Sequence, residues 1–158
     1  MTTTITAATM TVTLTEAISL NGYDQGSKNT LTIDNVVEVS KRIVTVTTSE
    51  AVIATFSAAV AAGNYIAANV RYIRFTNLDD TNFVTLTFRN QDNDEVAIKL
   101  DYGQSIILNG DNANGMTAVF NATQDADAAS SSNFGSLTNI QADADTGSCD
   151  LEMVIASV

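Results

Sequence analysis

Period two dominates this chain. Met10, Val12 and Leu14 alternate with Thr11, Thr13 and Thr15; Val84, Leu86 and Phe88 alternate with Thr85, Thr87 and Arg89; Val96, Ile98 and Leu100 alternate with Glu95, Ala97 and Lys99. Alternation of this kind puts apolar residues on one face of a pleated strand and polar ones on the other. The polar partners are often Thr, and the apolar ones often Val or Ile, whose branched side chains suit a strand better than a helix. The pattern predicts further strands over 17–20, 28–33, 36–47 (with a break near Ser40), 70–76, 104–108, 116–120 and 150–157. Between them lie turn-forming clusters: "NGYDQGS" (21–27), "NLDDTN" (77–82), "NQDND" (90–94), "DYG" (101–103) and "NGDNANG" (109–115). Short strands separated by such turns predict an all-β fold, an antiparallel sandwich, jelly roll or open barrel.

Two segments read differently. "SEAVIATFSAAVAAGN" (49–64) carries Val52, Phe56, Ala59 and Val60 at helical spacing after a Ser cap candidate, yet "EAVIATF" also continues the β pattern. The reading adopted is a strand to Phe56 and then a loop or helical turn ending near Gly63, so the fold holds at most one short helix, near 50–62. Residues 121–139, "NATQDADAASSSNFGSLTN", show weak periodicity and read as a long polar loop. The uncharged start, residues 1–9, reads as an extended arm that orders by adding a strand to a neighbour. Residues 1–158 are otherwise expected to form a single β domain, a length that suits one core.

Charge narrows the partners. The net charge is −11, all seven basic residues precede residue 100, and the last 58 residues carry eight acids and no base. Such a surface repels phosphate backbones and anionic lipid, so neither nucleic acid nor membrane is an expected partner. No apolar run approaches a membrane span. No Lys or Arg precedes the first apolar residues, so the start does not read as a signal peptide.

Candidate chemistry is sparse. Histidine is absent and Cys149 is the lone cysteine, which removes the commonest general base and any Cys-based zinc site. The acid-rich turns around Asp79, Asp92, Asp111 and Asp143 suggest calcium, but none has EF-hand spacing: Ala113 falls where a second ligand belongs, and Gly147 comes one place early after Asp143 and Asp145. Asp79 and Asp80 are adjacent on a turn, where water keeps both ionised, unlike the paired carboxylates of a glycosidase. Short Asp and Asn side chains in turns bond their own backbone. The expectation is therefore no enzyme, no cofactor, and no catalytic, cofactor-binding or metal residue.

One stretch carries a family likeness. "VRYIRFTNLDDTNFVTLTF" (70–88) followed by "AIKLDYGQSIIL" (97–108) resembles a module of small structural proteins from tailed bacteriophages, through Ile73, Asn77, Asp79, Thr81, Asn82, Phe83, Val84, Leu86, Leu100, Gly103 and Ser105. The whole chain is similar in size and character to β-rich proteins encoded among virion genes of marine phages and to capsid decoration proteins. The resemblance implies a virion protein, assembled in the host cytoplasm and bound in many copies to the head. Its implied partners are the major capsid protein and copies of itself, as a homo-oligomer such as a trimer over a local threefold axis. A neck or tail component (connector, tube or fibre base) is the alternative within the particle. A soluble calcium- or carbohydrate-binding module is the alternative outside it.

Overall fold

The computed structural model describes residues 4–120 and 134–158; the predicted loop at 121–139 and the N-terminal arm at 1–9 therefore lie partly outside the described residues. The chain divides into two compact units, residues up to Glu38 together with Val158, and Val39–Ser157.

In the first unit, β1 (Ala8–Glu16) and β4 (Ser27–Val36) form an antiparallel ribbon, with β2 (Ser19–Leu20) and β3 (Tyr23–Asp24) as a smaller hairpin at its turn end. The period-two pattern becomes two faces. Met10 lies opposite Ile33 and Val12 opposite Leu31, with Leu14 next in the same row; Thr11, Thr13 and Thr15 lie opposite Thr32, Thr30 and Lys28 on the other side. Asn21 and Gly22 both have positive φ, 53° and 83°, the backbone that a two-residue hairpin turn requires.

The second unit holds two sheets. One has the order β10 (Glu95–Leu100), β9 (Val84–Asn90), β12 (Leu137–Ala144), β6 (Ala51–Ser57), β7 (Asn64–Ile66); the other has β11 (Ser105–Asn109), β8 (Val70–Asn77), β13 (Cys149–Ser157), β5 (Glu38–Val46). All pairings described within them are antiparallel except β6 with β7. Inward rows of both sheets meet in one core. Val84, Leu86, Phe88, Ile140 and Ala142 come from the first sheet, and Ile73, Phe75, Leu151, Met153 and Ile155 from the second. Among the described residues no strand pairing joins one sheet to the other, and the two packed sheets have the arrangement of a β-sandwich.

Most of the predicted strands are present, and the all-β fold stands. Three details differ, at 36–47, 116–120 and 137–139. The strand expected across 36–47 breaks at Val37 instead of Ser40, two residues after Asn35, which takes positive φ (61°). The stretch 50–62 is a strand followed by a loop, as read: β6 runs to Ser57, and the Asn64 side chain then ties the loop, accepting from Ala61 N (2.7 Å) and donating to the Ala59 carbonyl (2.9 Å). The single described helical turn is a 3-10 turn at Ala67–Asn69. The strand expected at 116–120 is a series of turns. Met116 is fully buried there and its N–H reaches Ala67 O (2.8 Å), while Thr117 turns back onto Asn114 O (3.2 Å). Conversely, the last residues of the predicted polar loop, Leu137–Asn139, begin β12, a central strand.

Phe88 is fully buried and packs on Phe120 (5.8 Å between ring centroids), which in turn meets Phe134 edge-on at 5.1 Å. Replacing Phe88 by Ala empties the middle of the core and removes that stack. Chemical denaturation should show a loss of about 3–5 kcal/mol with an unchanged slope.

Candidate interaction surfaces

The residues that looked chemical in the sequence are mostly the fastenings of turns. Asn77 ends β8 fully buried. Its Nδ2 donates to the carbonyls of Asn82 (2.9 Å) and Leu100 (3.2 Å), and its Oδ1 accepts from Asp79 N (3.0 Å). Its main chain is held as well, by Gln104 O and Gly103 N. Asp79 then gathers the rest of the turn, its Oδ1 accepting from Thr81 N (2.8 Å) and Asn82 N (2.6 Å). Those two N–H donors, Asn82 first, hold the Asp79 carboxyl below the usual aspartate range. Asn77, Asp79, Thr81 and Asn82 thus join the β8–β9 turn to the end of β10 and the 101–104 turn.

The next turn repeats the device. Asn90, buried at the end of β9, accepts at Oδ1 from Asp92 N (2.8 Å) and Asp94 N (2.7 Å), while its Nδ2 reaches Asp94 Oδ2 (3.0 Å) and the Phe134 carbonyl. In "DNANG", Asp111 Oδ1 accepts from Ala113 N (2.9 Å) and Asn114 N (2.7 Å), and these donors lower its carboxyl too, Asn114 more than Ala113. Gly115 is required there: its φ is 58°, and a Cβ would sit 2.5 Å from Ala67 O.

Asp79, Asp92 and Asp111 therefore belong to three separate turns, and Asp143 to β12 opposite Thr85. Among the described residues no group of three or more acidic or Cys side chains is placed to hold a metal ion. Two ionisable groups in the second unit are shut away. Burial pushes the Cys149 thiol up, with the Asp79 charge adding to it, and burial also pushes up the Tyr72 phenol. A thiol in that state stays protonated and is a poor nucleophile.

The outward faces carry ion pairs. Arg89 and Glu95 pair across the β9–β10 hairpin (Nε to Oε1, 2.7 Å), as a cross-strand arrangement predicts. Lys99, the third charge in that row, instead approaches Asp101 (3.7 Å) and lies over the Phe83 ring at 4.3 Å. On the other sheet Glu152 receives both Lys41 (2.9 Å) and Arg74, and these hold its carboxyl below the ordinary range.

Apolar side chains exposed to solvent are distributed unevenly. Of fifteen large ones among the described residues, seven belong to the first unit, which is about a quarter of the chain. Alternation alone did not reveal this, because it shows which side chains share a face and not whether that face is covered.

No known family model matches the sequence, and no curated protein matches it. Among solved structures the chain is similar to one from the work "Bacillus endospore appendages form a novel family of disulfide-linked pili", at 12% identity and a TM-score of 0.43, over 77% of this chain and 85% of that one.

Two measurements follow from the turns. Asn77→Ala leaves two carbonyls and an N–H unpaired inside the protein, so it should cost about 1–3 kcal/mol in denaturation, and Asn77→Asp, which loses both donors, should not restore it. Because the Asp79 carboxyl is lowered in the folded chain, its stabilisation is complete above the unfolded value. That stabilisation is lost as pH falls below about 4 and through the folded value. Urea midpoints measured against pH should fall in that window. Asp79→Asn should flatten part of the decline, with Asp111 and Glu152 supplying the remainder.

Proposed function

We propose that this chain is a structural subunit of a bacteriophage particle, and specifically a decoration protein bound in many copies to the head. The observation that carries the reading is the exposed apolar surface concentrated in the first unit of a chain with net charge −11. Large apolar side chains in water are a cost that burial against neighbours removes, and Leu20 and Tyr23 stand together as direct partners across the β2–β3 hairpin. The phage-like residues from Ile73 to Ser105 support the family label through their roles as turn fastenings and core, which specify a rigid block. A rigid block of this kind acts by shape: it fills a site between capsomers with many weak contacts, multiplied by copy number. The partners in this reading are the major capsid protein and further copies of this chain.

Electron microscopy of particles from the phage that encodes it, with mass spectrometry for stoichiometry, tests the reading. Hundreds of copies on the shell are the expected result. Six or twelve copies at one vertex would move the protein to the neck or tail, and absence from purified particles would overturn the reading.

A further inference from the structure

We propose that Asn21–Gly22 is a site of spontaneous covalent modification, where the Asn21 amide becomes a carboxylate through a cyclic imide, and that the fold protects the other Asn-Gly pairs of the chain. Asn-Gly occurs three times, at 21–22, 109–110 and 114–115. The dipeptide is reactive because glycine has no Cβ to keep its main-chain nitrogen away from the preceding side chain. Local structure then decides which of the three can react.

The step needs water alone. The Gly22 nitrogen attacks Asn21 Cγ; the N–Cγ bond forms as the nitrogen gives its proton to solvent, and the Cγ–Nδ2 bond breaks as ammonia leaves. Water then opens the imide. Cleavage of the new bond leaves an aspartyl residue, and cleavage of the original main-chain amide leaves an isoaspartyl link, in which the chain runs through the side-chain carbons. Either product carries a negative charge that the amide lacked, placed between the exposed pair Leu20 and Tyr23.

At the two later pairs the attacking nitrogen is engaged. Gly110 N–H donates to Arg71 O (2.8 Å), and a Cβ there would sit 2.2 Å from Val70 O, so this main chain packs directly against β8. Asn109 is itself the last residue of β11, opposite Tyr72. Gly115 N–H donates to Asp111 O (2.9 Å), its backbone is wedged against the carbonyls of Ala67 and Ala68, and Asn114 N is held by the Asp111 carboxylate (2.7 Å). Either pair must give up these contacts before it can react.

The hairpin pair is held by much less. Among the described residues Gly22 N–H takes part in no main-chain hydrogen bond, and nothing lies within 4 Å of where a Cβ would stand. Every residue from 17 to 28 is exposed. The ladder around the turn is Ser19 with Asp24 and Leu20 with Tyr23, and so short a hairpin opens at little cost. Closed, the turn fixes the Asn21 main chain. Open, rotation at Asn21 brings its Cγ to the Gly22 nitrogen.

Incubation of the full chain in mildly alkaline buffer, followed by tryptic digestion and mass spectrometry, tests the proposal. The peptide 1–28 holds Asn21 as its only asparagine, and the other two pairs lie in 100–158, where fragmentation tells positions 109 and 114 apart. Peptide 1–28 should gain the mass of an amide-to-acid exchange and separate into aspartyl and isoaspartyl forms. It should do so at least about tenfold faster than positions 109 and 114 convert, a ratio equivalent to about 1.4 kcal/mol of additional opening at those two. In denaturant all three should convert at similar rates, since only the fold distinguishes them. Asn21→Gly, which keeps a residue suited to positive φ at the turn, should abolish the gain in 1–28. Positions 109 or 114 converting as fast as 21 in the folded chain would overturn the proposal. So would a gain in 1–28 that survives Asn21→Gly, or a folded chain whose Asn21 stays intact while the denatured chain converts.

Discussion

Everything in the second unit depends on burying the inward rows of two sheets against each other. Phe75, Met153 and Ile155 on one side and Leu86, Phe88 and Ile140 on the other are almost wholly removed from water, and that burial is the main favourable term in folding. A sandwich of this kind makes a second demand. Each strand ends near the core, and the polar main chain of the departing turn must find partners there. Asn77 and Asn90 meet that demand from inside the protein, with donors and acceptors that a hydrophobic residue lacks. The acid-rich turns then become intelligible as continuations of those two side chains, lowering their own carboxyls by gathering N–H groups.

Much of this was legible in the sequence, for a physical reason. In β9, β10 and β13 one row faces the core, so apolar residues recur at every second position: Val84, Leu86 and Phe88; Ile98 and Leu100; Leu151, Met153 and Ile155. The failures occurred where periodicity was diluted. In β12 the inward side chains include Ala142 and Ala144 and the outward ones are Asn139, Gln141 and Asp143, so a central strand looked like the tail of a polar loop. At 116–120 the reverse happened: Met116 is an isolated anchor in the core, and the alternation of its neighbours had no strand to pair with. In 50–62 the alanines left a helical turn as an alternative, and the strand-then-loop reading is the one the Asn64 side chain fixes.

The surface was harder to read than the core. The acid- and Asn-rich stretch at 77–82 looked dense with chemistry, yet Asn77, Asp79, Thr81 and Asn82 act on one another and on nearby backbone. The ribbon poses the opposite problem. Its Thr and apolar rows were evident from alternation, whereas the exposure of Leu14 and Leu31 could be known only once the faces had been built. Between them these features describe a protein whose rigid part is specified by buried asparagines and whose uncovered part is specified by what it leaves out, namely charge.

The order of strands has a consequence for how such a chain is made. β12 lies between β9 and β6, and β13 between β8 and β5, so the strands that leave the ribosome latest are the ones on which both sheets close. Until they emerge, β6 and β9 have no common neighbour, and neither do β5 and β8. Closure of both sheets therefore depends on long-range pairing, the slow kind. Without β13 the β8 and β5 strands lack their common neighbour, and without β12 the same holds for β9 and β6.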